Sequence, residues 1–267
     1  MSIKIEQPSE AGEYDEKLQT LLQLLWGDGF LSPGGPEEIA RLLDGHDIRN
    51  CTVLDIGSGL GAVDELLVSR YGAAFVTGID VDPALLRQMD ARIERAGLSS
   101  RIRSVCVEPG PLPFESSTFD VVFSKDSMVQ IPDKPAIFAE VIRVLKPSGR
   151  FIASDWLRGS SGPYSDDMME YFRLEGIAYN MASPAQSAQA LAQAGFTDVR
   201  LVDRNGWYLA LARRELAALE TNLRQTVIER LGTDQADHFV ANWRQLVRVL
   251  STGELRPTFL SATKPAR

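Results

Sequence analysis

Short apolar runs and amphipathic segments alternate through the middle of the chain. The apolar runs are rich in β-branched and aromatic residues, as buried strands are, and the segments between them carry apolar residues three and four apart, as helices do. The predicted strands are Thr52–Ile56, Ala74–Asp80, Ile102–Val107, Phe119–Phe123 and Arg150–Asp155, and the predicted helices between them are Asp64–Tyr71, Pro83–Ala96 and Lys134–Leu145. Strand, helix and strand within about 30 residues form a βαβ unit, which requires a parallel sheet. The alternation therefore predicts an α/β fold with a doubly wound, mostly parallel sheet.

Helical segments precede this core and interrupt it. Apolar residues recur at helical spacing in Tyr14–Trp26, and Pro36 suits the first turn of a second helix. The later part of the chain predicts helices at Tyr164–Phe172, Ser183–Ala194, Trp207–Arg230 and Asp234–Leu250, and strands at Val199–Asp203 and Thr258–Thr263. We interpret 1–267 as one domain with an N-terminal helical cap (1–48), a core (49–155), a helical lid insertion (156–195) and a C-terminal part that completes the sheet (196–267).

Composition narrows the function classes. Hydrophobic residues make up 44% and charged residues 24% of the 267, which is ordinary for a globular protein. The 28 basic and 36 acidic residues give a net charge of −8, which argues against a nucleic-acid partner. No apolar run reaches the length of a membrane span, and Met1–Pro8 has no signal-peptide core, so we expect a cytoplasmic protein. Cys51 and Cys106 lack metal-ligand spacing, and we expect buried, reduced thiols and no metal site.

A glycine-rich loop follows the first predicted strand. Gly57, Gly59 and Gly61 allow a tight turn and a close approach of a ligand to the main chain, which is typical of a nucleotide crevice. Asp80 ends the second strand, where its carboxylate can accept both hydroxyls of a ribose. The plain structural alternative is that the glycines only permit a turn and that Asp80 caps the helix beginning near Pro83.

The loop alone also fits a dinucleotide site, because the same residues satisfy a loose G-x-G-x-x-A pattern. Asp55, directly before the loop, favours a different ligand. A carboxylate repels a pyrophosphate but attracts the ammonium and sulfonium groups of S-adenosylmethionine. The acid therefore favours S-adenosylmethionine over a nicotinamide or flavin dinucleotide.

Four motifs in chain order resemble those of class I S-adenosylmethionine-dependent methyltransferases. They are D-I-G-S-G-L-G (55–61), G-I-D-V-D (78–82), F-D-V-V-F-S (119–124) and L-K-P-S-G (145–149). The resemblance implies the class I methyltransferase fold, S-adenosylmethionine as donor and S-adenosylhomocysteine as product. We therefore expect Val81, Glu108 and Pro109 to join the donor site, with Glu108 accepting the amine of adenine; a solvated strand end is the alternative for Glu108.

The acceptor is expected over the carboxyl ends of the fourth and fifth strands. This places Lys125, Asp126, Met128, Gln130 and Trp156 near the transferable methyl group, and we expect Lys125 to belong to the donor site. Tyr171 and Trp156 are candidates for a cation–π wall around a methylammonium product, although such aromatic residues are also common in cores.

Further motifs outside the core resemble the phosphoethanolamine N-methyltransferases. They are Tyr14, F-L-S-P-G-G (30–35), S-K-D (124–126), Trp207 and the ending F-L-S-A-T-K (259–264). The resemblance implies that Tyr14 closes over the site, that Asp126 holds the amine and that Ser32 lies against the amino-acid end of the donor. It also implies a histidine where this chain has Gln130, and glutamine cannot serve as a proton acceptor.

The phosphate-binding positions of that family also differ here. The run Glu175–Ala178 contains no arginine, and Gln245 stands where a lysine is expected. We therefore predict N-methylation of a small amine other than phosphoethanolamine, with Tyr14, Asp126 and Gln130 facing the acceptor. The alternatives are an oxygen or carbon methyltransferase, a non-catalytic donor-binding partner protein and a dinucleotide oxidoreductase. For two single residues a structural alternative also stays open: a helix N-cap for Asp126 and a core position for Tyr14.

Overall fold

The computed structural model describes residues 14–176 and 179–267 and is built on one seven-stranded sheet. The strands are β1 (Thr52–Ile56), β2 (Phe75–Asp80), β3 (Ile102–Cys106), β4 (Phe119–Lys125), β5 (Leu145–Arg158), β6 (Thr197–Asp203) and β7 (Leu255–Thr263). Their order is β3-β2-β1-β4-β5-β7-β6. The first five pair in parallel, and β7 runs antiparallel to both β5 and β6. The predicted doubly wound, mostly parallel sheet is confirmed.

Five of the ten helices in the described ranges begin at a side-chain cap. The carboxylates of Asp15, Asp82 and Asp133 and the hydroxyls of Ser165 and Ser183 accept main-chain N–H groups at helix starts. The helices are α1 (Glu16–Trp26), α2 (Gly35–Leu42), α3 (Ala62–Ser69), α4 (Pro83–Arg95), α5 (Lys134–Val144), α6 (Asp166–Glu175), α7 (Pro184–Gln193), α8 (Asn205–Glu220), α9 (Arg224–Leu231) and α10 (Thr233–Thr252). A short 3-10 turn, Met128–Gln130, follows β4.

Three apolar clusters hold the molecule together. One joins the sheet to α5 and α7, and a second joins the other face of the sheet to α2, α3 and α4. The third, here named the cap cluster, packs α1, α6, α8, α9 and α10 on one another with Trp156 of β5 at its edge. The cap cluster lies beside the loop after β4, because Val129 of the 3-10 turn is part of it.

The structure corrects three expectations of the sequence. The helix predicted over Trp207–Arg230 is two helices, because the backbone leaves the helical region at Thr221 (φ −128°, ψ −98°). The segment 156–195, predicted as one lid, divides between two layers, with α6 in the cap cluster and α7 against the sheet. Cys106 is exposed and Cys51 is half-buried, because Cys106 ends the edge strand β3.

None of the helices in the described ranges has the length and apolar character that a membrane span needs. The first 13 residues, which include Met1–Pro8 and the start of the predicted cap, lie outside the described part of the chain.

Candidate active site

A crevice of about 1220 Å³ opens at the carboxyl ends of the central strands. Nine of the ten residues predicted to bind the donor line it: Ser32, Asp55, Gly57, Gly59, Asp80, Val81, Glu108, Pro109 and Lys125. The tenth, Gly61, lies behind the loop, where a Cβ atom would come within 2.7 Å of Cγ of Met89. Gly61 therefore serves the close packing of α3 on α4 and does not face the crevice.

Main-chain hydrogen bonds fix the glycine loop to the end of β2. The amides of Gly57 and Ser58 donate to the carbonyl oxygen of Ile79 at 2.8 and 3.0 Å. The carboxylate of Asp80 accepts from the amides of Gly59 and Asp82, both at 3.0 Å. The cap of α4 is Asp82, whose carboxylate accepts from Ala84, so the capping alternative for Asp80 is wrong. Asp80 instead supports the loop from within the crevice.

Two carboxyl groups are buried together beneath the loop. Asp55 of β1 is 1% exposed and Asp64 of α3 is fully buried. Oδ1 of Asp55 and both oxygens of Asp64 accept no hydrogen bond from any other described side chain or amide, and the two carboxyl groups contact each other. Burial raises the pKa of Asp55 to about 7, and burial together with the neighbouring Asp55 raises the pKa of Asp64 well above its usual range. The floor of the crevice thus lacks a positive charge that a cationic ligand would supply.

This burial makes a prediction about pH and stability. Because the pKa of Asp55 is about 7 in the folded chain and near 4 in an unfolded one, the folded state binds more protons between these values, and stability falls as pH rises through that window. Asp55→Asn removes this loss, so it should gain stability relative to the wild type from pH 5 to pH 8, by on the order of 3 kcal/mol. Thermal unfolding at several pH values measures the gain. The same change at the exposed Asp44 is the control, and parallel curves for Asp55→Asn and wild type would contradict the prediction.

A second, smaller cavity of about 50 Å³ lies between the loop after β4 and the cap cluster. We name it the acceptor chamber. Five residues line both cavities: Tyr14, Leu31, Ser32, Asp126 and Gln130. The crevice and the acceptor chamber therefore meet at the three residues that the sequence predicts to face the acceptor, Tyr14, Asp126 and Gln130, with Leu31 and the predicted donor residue Ser32 beside them.

Asp126 is held at this junction in a strained backbone conformation. Its φ is 59°, in the left-handed region, and its amide donates to the carbonyl oxygen of Ser154 at 2.7 Å. Its carboxylate accepts from Oγ of Ser154 at 2.7 Å, forms a buried ion pair with Lys125, and lies 3.5 Å from the hydroxyl of Tyr208. The carboxylate caps no helix, since the following 3-10 turn begins after Ser127, and the N-cap alternative is wrong.

A buried acid and a buried amine fix the turn that carries Gln130. Asp155 accepts from the amide of Val129 at 2.8 Å, and Nζ of Lys134 donates to the carbonyl oxygen of Ile131 at 2.6 Å. Burial raises the pKa of Asp155 to about 7, against the attraction of Lys134, and burial lowers the pKa of Lys134. Their contacts hold the main chain around Gln130 rather than the acceptor itself.

Aromatic rings and two acids form the rest of the acceptor chamber. Trp156 and Tyr208 pack edge to face with ring centroids 5.2 Å apart, and Tyr171 also lines the cavity. Glu215 accepts from the indole N–H groups of Trp26 at 2.6 Å and Trp243 at 3.0 Å. Its two oxygens thereby join α1 to α8 and α10. The second acid, Glu175, stands at the end of α6.

The structure brings most of the predicted acceptor residues together. Tyr14, Asp126, Gln130, Trp156 and Tyr171 all line the acceptor chamber. Tyr14 also packs against the cap cluster, so it both lines the acceptor chamber and belongs to the edge of an apolar core. Met128 is the exception, because it is 2% exposed within the apolar cluster under α5 and lines neither cavity.

Several lining residues have no assigned role in the sequence prediction, among them Tyr208, Glu215 and Glu175. The first two do leave a signal. Tyr208, Ala212, Glu215 and Leu219 recur at helical spacing on α8, and all four are buried. A glutamate within the apolar stripe of a helix is unusual and marks a buried, partnered or functional acid.

A methyltransferase family model, curated proteins and solved structures resemble this chain. The family model described as "Methyltransferase domain" matches residues 53–149. The chain is 31% identical over 242 residues to a phosphoethanolamine N-methyltransferase of Triticum aestivum, covering 90% of this chain and 46% of the relative. It is 24% identical over 216 residues to the phosphoethanolamine N-methyltransferase of Plasmodium falciparum, covering 80% of this chain and 79% of that protein.

A solved structure agrees. The phosphoethanolamine N-methyltransferase 2 of Haemonchus contortus, solved with phosphomonomethylethanolamine and S-adenosylhomocysteine, superposes with a TM-score of 0.86 at 23% identity, covering 97% of this chain and 61% of that one. The chain therefore has the class I methyltransferase fold and resembles the phosphoethanolamine N-methyltransferases along most of its length. It spans about half the length of the plant relatives that it matches.

Proposed function

We propose that this chain transfers a methyl group from S-adenosylmethionine to the nitrogen of a small amine. The observation that carries the proposal is Asp126, a buried carboxylate at the junction of a nucleotide-type crevice and an aromatic-lined chamber. The resemblance to phosphoethanolamine N-methyltransferases supports the same reaction class.

The crevice fits this donor on three counts. Its volume of about 1220 Å³ is ample for a nucleoside bearing an amino acid. The unpartnered Oδ1 of Asp55 suits the donor's positive amino-acid end, and Asp80 is placed for the ribose. When bound, S-adenosylmethionine supplies an electrophilic methyl group on a positively charged sulfur. Ser32, Asp55, Gly59, Asp80 and Glu108 would hold it.

The chain's own task is to present a neutral amine in line with that methyl group. Asp126 accepts an N–H hydrogen bond from the amine, which turns the nitrogen lone pair towards the crevice. As the new N–C bond forms, nitrogen becomes positive, and the carboxylate then stabilises the charge and is an acceptor for the proton that leaves. Ser154 and Lys125 fix the carboxylate, so little reorganisation is needed.

Tyr14 and Gln130 complete the junction on either side of Asp126. Tyr14 comes from the start of the cap, directly before α1, and it lines both cavities. Its proposed role is to close over the reacting atoms and exclude water from them. Gln130 contributes an amide that can orient the amine by hydrogen bonding but cannot take its proton.

Ligand-induced stabilisation and product analysis test the proposal. S-adenosylmethionine and S-adenosylhomocysteine should each raise the unfolding temperature, by the equivalent of about 2.7 kcal/mol at a hundredfold excess over Kd, and NADH should not. Mass spectrometry of reactions with amines, phenols and β-dicarbonyls then identifies the acceptor atom.

Each other outcome points elsewhere. Stabilisation by NADH alone would exclude a methyltransferase. Methylated phenols or β-dicarbonyls without methylated amines would indicate an oxygen or carbon methyltransferase. Donor binding without any product would indicate a non-catalytic partner protein.

A further inference from the structure

The far wall of the acceptor chamber carries an acid that the proposed methyl transfer does not use. Glu175 ends α6 and lines the cavity together with Tyr171 and Tyr179. Its carboxylate accepts from Nδ2 of Asn242 at 2.6 Å and from the hydroxyl of Tyr179 at 3.3 Å. The group is thus a fixed, inward carboxyl, separate from Asp126.

No cation among the described residues forms an ion pair with this carboxyl, so a bound cation would favour its ionised form. The described residues that line the acceptor chamber include three acids, Asp126, Glu175 and Glu215, and no arginine, lysine or histidine. Lys125 pairs with Asp126 from outside this lining. Burial is the main cause that raises the pKa of Glu175, with hydrogen bonds from Asn242, Tyr179 and Tyr171 opposing it. A phosphate dianion placed here would meet repulsion, whereas a second cation would meet attraction.

The surroundings of Glu175 add two features that suit a cation. The rings of Tyr171 and Tyr179 are stacked with centroids 6.2 Å apart, and aromatic faces attract ammonium groups. The buried Asn242, which does not itself line the chamber, donates to one oxygen of Glu175 and so holds the carboxyl in place. An ammonium group has three N–H donors and can bind such a fixed carboxylate while it lies against a ring.

We propose that the acceptor is a small diamine, with one nitrogen at Asp126 for methylation and the second, charged nitrogen held by Glu175. This inference rests on the proposed function and names its substrate class. It assigns Glu175 as the residue that determines specificity, and it explains why a chain that resembles phosphoethanolamine N-methyltransferases has a glutamate at the end of α6 and a glutamine at position 245.

Binding to the protein saturated with S-adenosylhomocysteine tests recognition apart from turnover. Titration calorimetry compares 1,3-diaminopropane and 1,4-diaminobutane with 1-aminobutane and phosphoethanolamine. We expect a diamine to bind about tenfold to a hundredfold more tightly than 1-aminobutane, as a charge-assisted hydrogen bond provides, and phosphoethanolamine to bind more weakly still. Glu175→Gln should remove the preference for the diamine, and Glu94→Gln, the same change on the exposed face of α4, should retain it.

The outcomes separate this inference from the proposed function. Equal binding of 1-aminobutane, tighter binding of phosphoethanolamine, or no binding of any diamine would overturn the diamine assignment. Loss of the preference in Glu94→Gln as well would also overturn the role of Glu175. A diamine that binds with the expected preference but yields no methylated product with S-adenosylmethionine would leave the recognition intact and refute the methyl transfer.

Discussion

Asp126→Asn is expected to lower the rate of amine methylation by about a hundredfold or more while leaving the affinity for the donor nearly unchanged. The amide still fits beside Ser154, but it carries no negative charge to stabilise the nitrogen as it becomes positive and cannot accept its proton. Donor affinity should be spared because Asp55 and Asp80, not Asp126, are the residues that we propose for the charged and ribose parts of the donor. Steady-state kinetics and calorimetric titration with S-adenosylhomocysteine measure the two effects.

Asp126→Asn also breaks the ion pair with Lys125, so a loss of rate in this variant could come from a loss of stability. Asp126 pairs with Lys125, whose side chain is 3% exposed, and a buried charge left without its partner destabilises a protein by about 3–5 kcal/mol. The double variant Lys125→Met with Asp126→Asn removes both charges and should recover most of the stability but none of the rate. Near wild-type turnover in this folded double variant would show that Asp126 has only a structural role.

The donor crevice was predictable from the sequence because its parts are local. The strand, the glycine loop, the helix and the acid at the end of β2 lie within 52–80, and each is specified by short-range preferences: β-branched runs, glycines and a cap. The structure sets the four predicted donor residues of this segment that line the crevice together for this reason, and five more line it from outside the segment: Ser32, Val81, Glu108, Pro109 and Lys125. Gly61 belongs to the same glycine motif as Gly57 and Gly59 but has a different role. The motif does not show this; only the packing of Met89 against Gly61 shows that this glycine faces away from the crevice.

The acceptor chamber depends on contacts that the sequence does not order. Glu215 meets Trp26 across 189 residues, and Lys125 meets Tyr208 across 83. The sequence of α8 alone does not determine which face of the helix points towards β4. These contacts can therefore be identified only from the packed cap cluster. Met128 shows the converse error: it follows the site strand closely, yet the 3-10 turn directs its side chain into the core.

The glycine at position 57 is the second position where a small change should have a large effect. Its φ is 80°, and a Cβ atom there would lie 2.3 Å from Cβ and 2.4 Å from Oγ of Ser127. Ser127 cannot easily retreat, because its hydroxyl donates to the carbonyl oxygen of Ile56 at 2.6 Å. The donor loop and the loop that carries Asp126 are therefore packed against each other at this glycine.

Gly57→Ala is accordingly expected to abolish the stabilisation by S-adenosylhomocysteine and to lower the free energy of unfolding through two costs. The left-handed backbone costs an alanine about 1–2 kcal/mol, and the overpacking against Ser127 adds about 1–3 kcal/mol. Gly97→Ala is the matched control, because Gly97 also has a positive φ of 69° but nothing within 4 Å of its Cβ position. It should show the backbone cost alone and keep donor binding, as measured by thermal unfolding with and without S-adenosylhomocysteine.

The double variant Gly57→Ala with Ser127→Gly separates the effect of the close contact with Ser127 from the effect of the backbone strain at residue 57. The second change removes both close atoms and leaves Cα of residue 127 at 3.8 Å, an ordinary contact distance. Donor-induced stabilisation should then return in part, limited by the lost hydrogen bond to Ile56 and the remaining backbone strain. If Gly57→Ala behaves like Gly97→Ala, or if the double variant recovers nothing, the packing of Ser127 on the glycine loop does not set the geometry of the donor site.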